Sequence, residues 1–175
     1  MSYRVEDLRA GDILLMTSGE GSIPARVLDW LISHSEADPF VHACLVGDGH
    51  LIDPVWRVEQ VPIDRYVANG WAFRVEATDA QRAAAVAWAE ERVGNAYGVA
   101  ELLADAARLD LHIVLPAWYR WRPQHWTCSG FVNAAFASAD VTLTYAPAVT
   151  PADLSYSPLL IGERPWLMKR NAANA

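Results

Sequence analysis

A chain of 175 residues, 53% hydrophobic and 20% charged, has the balance of a globular protein and is long enough to bury one substantial core in a single domain. Its formal net charge is −7, and no segment gathers enough Lys and Arg to neutralise a run of phosphates, so no nucleic-acid partner is expected. Two cysteines, Cys44 and Cys128, can form one bridge at most, which excludes a disulfide framework.

The chain opens with "MSYRVEDLRAGDILLM". Acidic residues stand where a secretory signal carries basic ones, and the apolar run 13–16 is too short for a signal core or a membrane span. The expectation is a cytoplasmic protein with reduced thiols and no integral membrane segment. Phage lysis or a dedicated secretion machine would need no such signal, so a phage-associated or exported role is the other reading.

"GDILLM" (11–16) predicts a short buried strand after a Gly-Asp turn. In "SIPARVLDWLIS" (22–33), Ser22 is placed to cap, Pro24 sits in the first turn, and Val27, Leu28, Leu31 and Ile32 recur at helical spacing. "VHACLVGDGHLIDPVW" (41–56) holds two β-type runs around Asp48 and Gly49. That dipeptide suits a tight hairpin turn whose central residues both take positive φ. "WAFRVEA" is a further strand. "TDAQRAAAVAWAEERVG" (78–94) is the clearest helix, with a Thr78–Gln81 capping box and Gly94 past its end. "VAELLADAARL" (99–109) predicts another helix. Residues 116–126, rich in Trp, Arg and Pro, read as a loop, and "SGFVNAAFASA" as a helix beginning at or beside Cys128. Prolines 147, 151, 158 and 165 then predict extended, turn-rich chain to the end. The fold class this predicts is α+β, an antiparallel sheet with helices gathered against it.

Cys128 is the first residue that could carry chemistry. If Thr127 caps the helix, the sulfur lies among unpaired backbone N–H groups, where the helix dipole favours thiolate and the same donors could hold an oxyanion. A buried structural cysteine is the plainer alternative. A nucleophile needs a base, and the histidines are His34, His42, His50, His112 and His125. His125 is near in sequence, but a base normally arrives from another element. His42 stands out because its strand is otherwise small and apolar.

If Asp48 and Gly49 form a two-residue loop, Gly47 faces His50 and Cys44 faces Asp53. His42, Cys44 and Asp53 then share one face, with Asp53 diagonal to His42. A three-residue loop would turn Asp53 to the other face, leaving it a strand-ending turn residue before Pro54. Cys44 reads as packing, since a mid-strand thiol has no helix terminus to activate it. No metal or other cofactor is expected: the histidines lack H-E-x-x-H spacing and the cysteines are not paired.

The order "GDILLM", helix, "HACLVGDGHLID", helix with "GNAYG", "TCSGFVNAAF" and "TPADL" resembles the circularly permuted papain-like amidases. These are the permuted branch of the NlpC-type cell-wall hydrolases, which includes the YiiX/YebB-like proteins and, more distantly, the lecithin:retinol acyltransferase group. The resemblance spans residues 11–154. It implies a papain-like fold, Cys128 as nucleophile and His42 as general base. The family's third polar residue, often a glutamate, falls on the shorter Asp53. Gln124, Tyr97, Trp126 and Ser129 are candidate substrate or oxyanion contacts, and Trp118, Tyr119, Trp121 and Trp126 could wall a substrate cleft or simply cover the core. The favoured activity is thiol-dependent cleavage of peptide amide bonds, with a peptide- or acyl-containing substrate such as peptidoglycan. A lipid-directed acyltransferase or hydrolase and a non-catalytic binding module on the same fold are the alternatives.

Overall fold

In a computed structural model of the protein, the described residues are 4–17, 40–55, 57–66, 68–95, 127–146 and 149–162. The helices expected over 22–33 and 99–109, and the aromatic loop 116–126, lie outside them. A single 3₁₀ turn, Val5–Asp7, leads into β1 (Ile13–Thr17), followed by β2 (Phe40–Val46), β3 (His50–Pro54), β4 (Val58–Pro62) and β5 (Gly70–Val75). Helices α1 (Asp79–Glu90), α2 (Cys128–Ala137) and α3 (Pro151–Ser155) come next, and the two-residue strand β6 (Leu160–Ile161) ends the described chain. The strands form one six-stranded sheet in the order β4-β3-β2-β1-β5-β6, antiparallel throughout. The protein is α+β, as expected.

Both faces of the sheet are covered. Ile13 and Leu15 of β1 join Ala43 and Leu45 of β2 and Phe73 of β5 under the apolar sides of α1 and α2. Leu14 and Met16 point the other way, into a thinner layer with Cys44, Val46, Leu51 and Val61. Strands buried on both faces need no polar alternation, which is why "ILLM" is an unbroken apolar run. Within the thicker layer Phe40 meets Phe73 edge to face at 6.2 Å, and Phe131 of α2 lies 5.5 Å from Trp88 of α1.

The β2–β3 hairpin has the two-residue loop. Gly47 N–H donates to the His50 carbonyl at 2.9 Å, and Val46 and Leu45 face Leu51 and Ile52. Continuing that register sets Cys44 opposite Asp53. The turn itself differs from expectation: Gly49 takes a positive φ of 75°, whereas Asp48 does not, so one left-handed residue suffices to reverse the chain. At the far end of β2 the β1 ladder slips. Met16 faces His42 but Thr17 faces Phe40, leaving Val41 as the extra residue of a bulge.

The capping box at α1 is present, with Thr78 Oγ1 accepting from Gln81 N and Gln81 Oε1 accepting from Thr78 N. Two strands were not anticipated, β4 and β6. The turn-rich tail is also corrected. Thr150 and Asp153 make a second capping box and Pro151 occupies the first helical turn, so this proline starts α3 where it was expected to extend the chain.

Candidate active site

Helix α2 begins at Cys128 because Thr127 holds extended backbone (φ −72°, ψ 160°) and its Oγ1 accepts from Gly130 N at 3.1 Å. Phe131 N donates to the Thr127 carbonyl. Those two bonds use the third and fourth N–H groups of the first turn, which leaves the N–H groups of Cys128 and Ser129 at the sulfur's end of the helix. The Ser129 hydroxyl is buried and already bonded elsewhere. It donates to the Val149 carbonyl at 2.6 Å and ties the start of α2 to the chain entering α3.

His42 and Asp53 arrive from the hairpin. His42 Nε2 and Asp53 Oδ1 are 2.7 Å apart, closer than their diagonal placement on neighbouring strands required. With Nε2 committed to Asp53, Nδ1 is the ring nitrogen left for Cys128, whose sulfur hydrogen-bonds the His42 side chain. Ala43 lies beyond the end of the β2–β3 ladder, and its backbone N–H also reaches that sulfur. Sheet and helix tip thus bring Cys128, His42 and Asp53 together.

Charge is distributed accordingly. Burial raises the Cys128 thiol, but the His42 imidazolium, its hydrogen bond and the N–H groups of Ala43 and Ser129 outweigh burial and hold the thiol below its ordinary range. Burial also works against a charged His42; the Cys128 sulfur and the hydrogen-bonded Asp53 carboxylate overcome it and keep the imidazole above its usual range. Asp53 is completely buried, which alone would favour its neutral acid, yet His42 and the hydrogen bonds from His42, Tyr66 and Cys44 hold it below the normal carboxylate value. The arrangement favours a thiolate–imidazolium pair backed by a carboxylate.

Two neighbours of Asp53 carry more than the sequence suggested. Cys44, expected to pack, does so at 0% exposure, and its thiol also donates to Asp53 Oδ1 at 3.2 Å and lies 3.6 Å from His42 Nε2. Burial and the adjacent Asp53 push Cys44 far up, so it remains a thiol. Tyr66, from the turn after β4, donates its hydroxyl to Asp53 Oδ2 at 2.7 Å. No motif marked Tyr66; the one available signal was a tyrosine beside Asp64 and Arg65 in a turn. Gln124, Tyr97 and Trp126, like Trp118, Tyr119, Trp121, His34, His112 and His125, lie outside the described residues. His50 is elsewhere, at the hairpin turn, 3.5 Å from Glu90 of α1.

Among the described residues no helix is long and apolar enough to cross a membrane. No protein-family model matches the chain, nor does any curated protein sequence. Among solved structures it is similar to YiiX from Escherichia coli O157:H7, a protein described as a metalloprotein with a domain of unknown function. The TM-score is 0.59 at 15% sequence identity, over 89% of this chain and 96% of the other. At that identity the likeness is one of fold: this chain has a YiiX-like α+β architecture built on an open six-stranded antiparallel sheet.

Proposed function

We propose that the protein is a cysteine hydrolase of the amidase or peptidase type, built on a permuted papain-like arrangement in which His42 and Asp53 precede the nucleophile Cys128. One observation carries this reading: a sulfur at a capped helix tip, hydrogen-bonded to an imidazole whose far nitrogen is held by a buried carboxylate. That is the constellation thiol acyl transfer needs. Cys128 Sγ attacks the carbonyl carbon, and the electron pair moving onto oxygen meets the backbone N–H donors at the start of α2. His42 passes its proton to the leaving nitrogen, the C–N bond breaks, and an acyl-thioester remains on Cys128. Water, losing a proton to His42, then attacks that thioester and releases the acid and the thiol. We assign cell-wall peptide amides as the substrate class, on the resemblance of the ordered motifs to the NlpC-type hydrolases.

The metal named for the YiiX protein is not carried over. His42, Cys44 and Asp53 do offer donor atoms within 4.8 Å of one another. Ligands of one tetrahedral ion stand about 3.3 Å apart, given metal–ligand bonds of about 2.0–2.3 Å. Here Nε2 is 2.7 Å from Oδ1, too close for two ligands of one ion, while the Cys44 sulfur, 3.2 Å from Oδ1 and 3.6 Å from Nε2, is at a distance that suits either arrangement. Two proton-bearing groups aimed at one anion is a hydrogen-bond arrangement, and it does not fit three lone pairs around a cation.

The test is alkylation by iodoacetamide near neutral pH, followed by peptide mapping. Cys128 is expected to react rapidly and Cys44 slowly, and the Cys128 rate should collapse in His42→Ala. Product analysis after incubation with peptidoglycan fragments and with phospholipids then reads the substrate class: released peptides support the amidase assignment, and acyl transfer from lipid overturns it. Cys128 labelling no faster than Cys44 would falsify the enzyme reading.

A further inference from the structure

A carboxylate with no solvent exposure stays charged only if hydrogen bonds replace the water it has lost. Asp53 is such a group, at 0% exposure, and three side chains among the described residues supply those bonds. Oδ1 accepts from His42 Nε2 at 2.7 Å and from the Cys44 thiol at 3.2 Å, while Oδ2 accepts from the Tyr66 hydroxyl at 2.7 Å. With both oxygens engaged from two directions, the carboxylate cannot turn away from the imidazole.

We propose that Tyr66 and Cys44 are positioning residues, two neutral donors that together keep the Asp53 carboxylate ionised and aimed at His42. The proposal rests on the reading of Cys128, His42 and Asp53 as the reacting set.

The direction of the Tyr66 proton follows from its surroundings. Arg65 Nε donates to the Tyr66 oxygen at 3.3 Å, so the hydroxyl's own hydrogen is free to point at Asp53. The turn that carries Tyr66 is closed by its carbonyl, which accepts from Gly70 N at 2.7 Å and from Asn69 N at 3.0 Å. The ring also meets His42 edge to face, 6.3 Å between centroids, so one residue supports both ends of the Asp–His contact. Cys44 is placed by the hairpin register, two residues along β2 from His42 and opposite Asp53. Its thiol is a weak donor but a compact one, and a valine or isoleucine there would leave Oδ1 with His42 alone. Among the described residues the titratable groups around Asp53 are therefore His42 and Cys44 from β2, Tyr66 with Arg65 behind it from the turn, Glu59 across the β3–β4 ladder, and Cys128 through His42.

The experiment follows the low-field proton resonance of His42 Nε2–H, assigned by its loss in Asp53→Asn, together with the Cys128 alkylation rate, in the full chain. Tyr66→Phe keeps the ring and removes one donor. It is expected to raise the pH at which acid abolishes the resonance by about one unit, a tenfold weaker hold on the charge. The alkylation rate near neutral pH should fall toward that of Asp53→Asn. Cys44→Ala should move both readouts in the same direction by less, and Cys44→Ser, which restores a donor, should recover most of the loss. In the Asp53→Asn background, Tyr66→Phe should change the alkylation rate no further. Wild-type midpoints in both Tyr66→Phe and Cys44→Ala would overturn the proposal, as would an equal rate loss from Tyr66→Phe with and without the carboxylate. If Tyr66→Phe fails to fold, the Cys44→Ala and Cys44→Ser pair decides. Slow alkylation of wild-type Cys128 with an intact, Tyr66-dependent resonance would instead remove the hydrolase reading, while the hold of Tyr66 and Cys44 on the Asp53–His42 contact would stand without a catalytic purpose.

Discussion

Cys128 and His42 divide one proton between them, and their opposite shifts say which way. The thiol is lowered and the imidazole raised, so between the two values the proton belongs to His42 and the sulfur is anionic. The pair forms as pH rises through the depressed Cys128 value and loses its imidazolium only above the raised His42 value. Alkylation of the wild-type chain should therefore rise below the ordinary thiol range and then run flat up to the His42 step. In His42→Ala the first rise should vanish, leaving one step at or above the ordinary thiol pKa of about 8.5, because burial then acts without the ring to offset it. A stopped-flow pH series on both proteins checks this; a single late step in the wild type would show that the sulfur gains nothing from the ring. Cys128 and His42 were legible in sequence because each broke a local pattern: a cysteine after a capping threonine, a histidine in an apolar strand. Tyr66 was not. Its role depends on where a turn carries its hydroxyl in space, and no spacing along the chain encodes that.

At the scale of elements, the hairpin is what converts sequence distance into contact. Strand alternation makes its register a binary choice, and a two-residue loop sets Asp53 on the face of His42. One glycine inserted between Asp48 and Gly49 would lengthen the loop and offer β3 the opposite face. If the slip is taken, Asp53 leaves His42 and the alkylation profile should become that of Asp53→Asn. If instead the loop bulges outward and the register holds, the profile should stay wild-type, and the loss of His50–Glu90 proximity will report the local change. Proton-exchange protection of the Gly47 amide, which donates to the His50 carbonyl across the hairpin, distinguishes the two. The hairpin was readable since Asp48 and Gly49 interrupt two β-type runs. Strand β4 was not, because "VEQVP" is short, lies at the sheet edge and ends in proline, all of which suppress a strand signal. Helix α3 is hidden for a different reason: prolines 147, 151, 158 and 165 together signal broken chain, although Thr150 and Asp153 around Pro151 spell a capping box.

For the whole molecule, the site sits where two layers join. Helix α2 belongs to the thicker apolar layer, and Cys44 belongs to the thinner one across the sheet. Cys128 can meet His42 only if α2 is seated firmly enough to hold its tip at the end of the β2–β3 ladder. Phe131, three residues after Cys128, is the main anchor: it is fully buried and packs on Trp88, whose own ring is covered by the Arg92 guanidinium at 3.8 Å. Truncating it removes a large buried ring and leaves a cavity, at a cost of about 3–5 kcal/mol. A domain of this size is stable by roughly 5–15 kcal/mol in total, so that loss is a large share of the whole. Phe131→Ala should lower the denaturant midpoint sharply with an unchanged slope, and should slow Cys128 alkylation even where the chain remains folded, because the sulfur no longer has a fixed seat. Tyr145→Ala is the contrast. That ring is 91% exposed, and its removal should shift the midpoint by no more than about 0.5 kcal/mol equivalent. Equal midpoints for the two variants would mean that α2 is held by something other than its apolar face, and the seat of the Cys128 sulfur would have to be sought elsewhere.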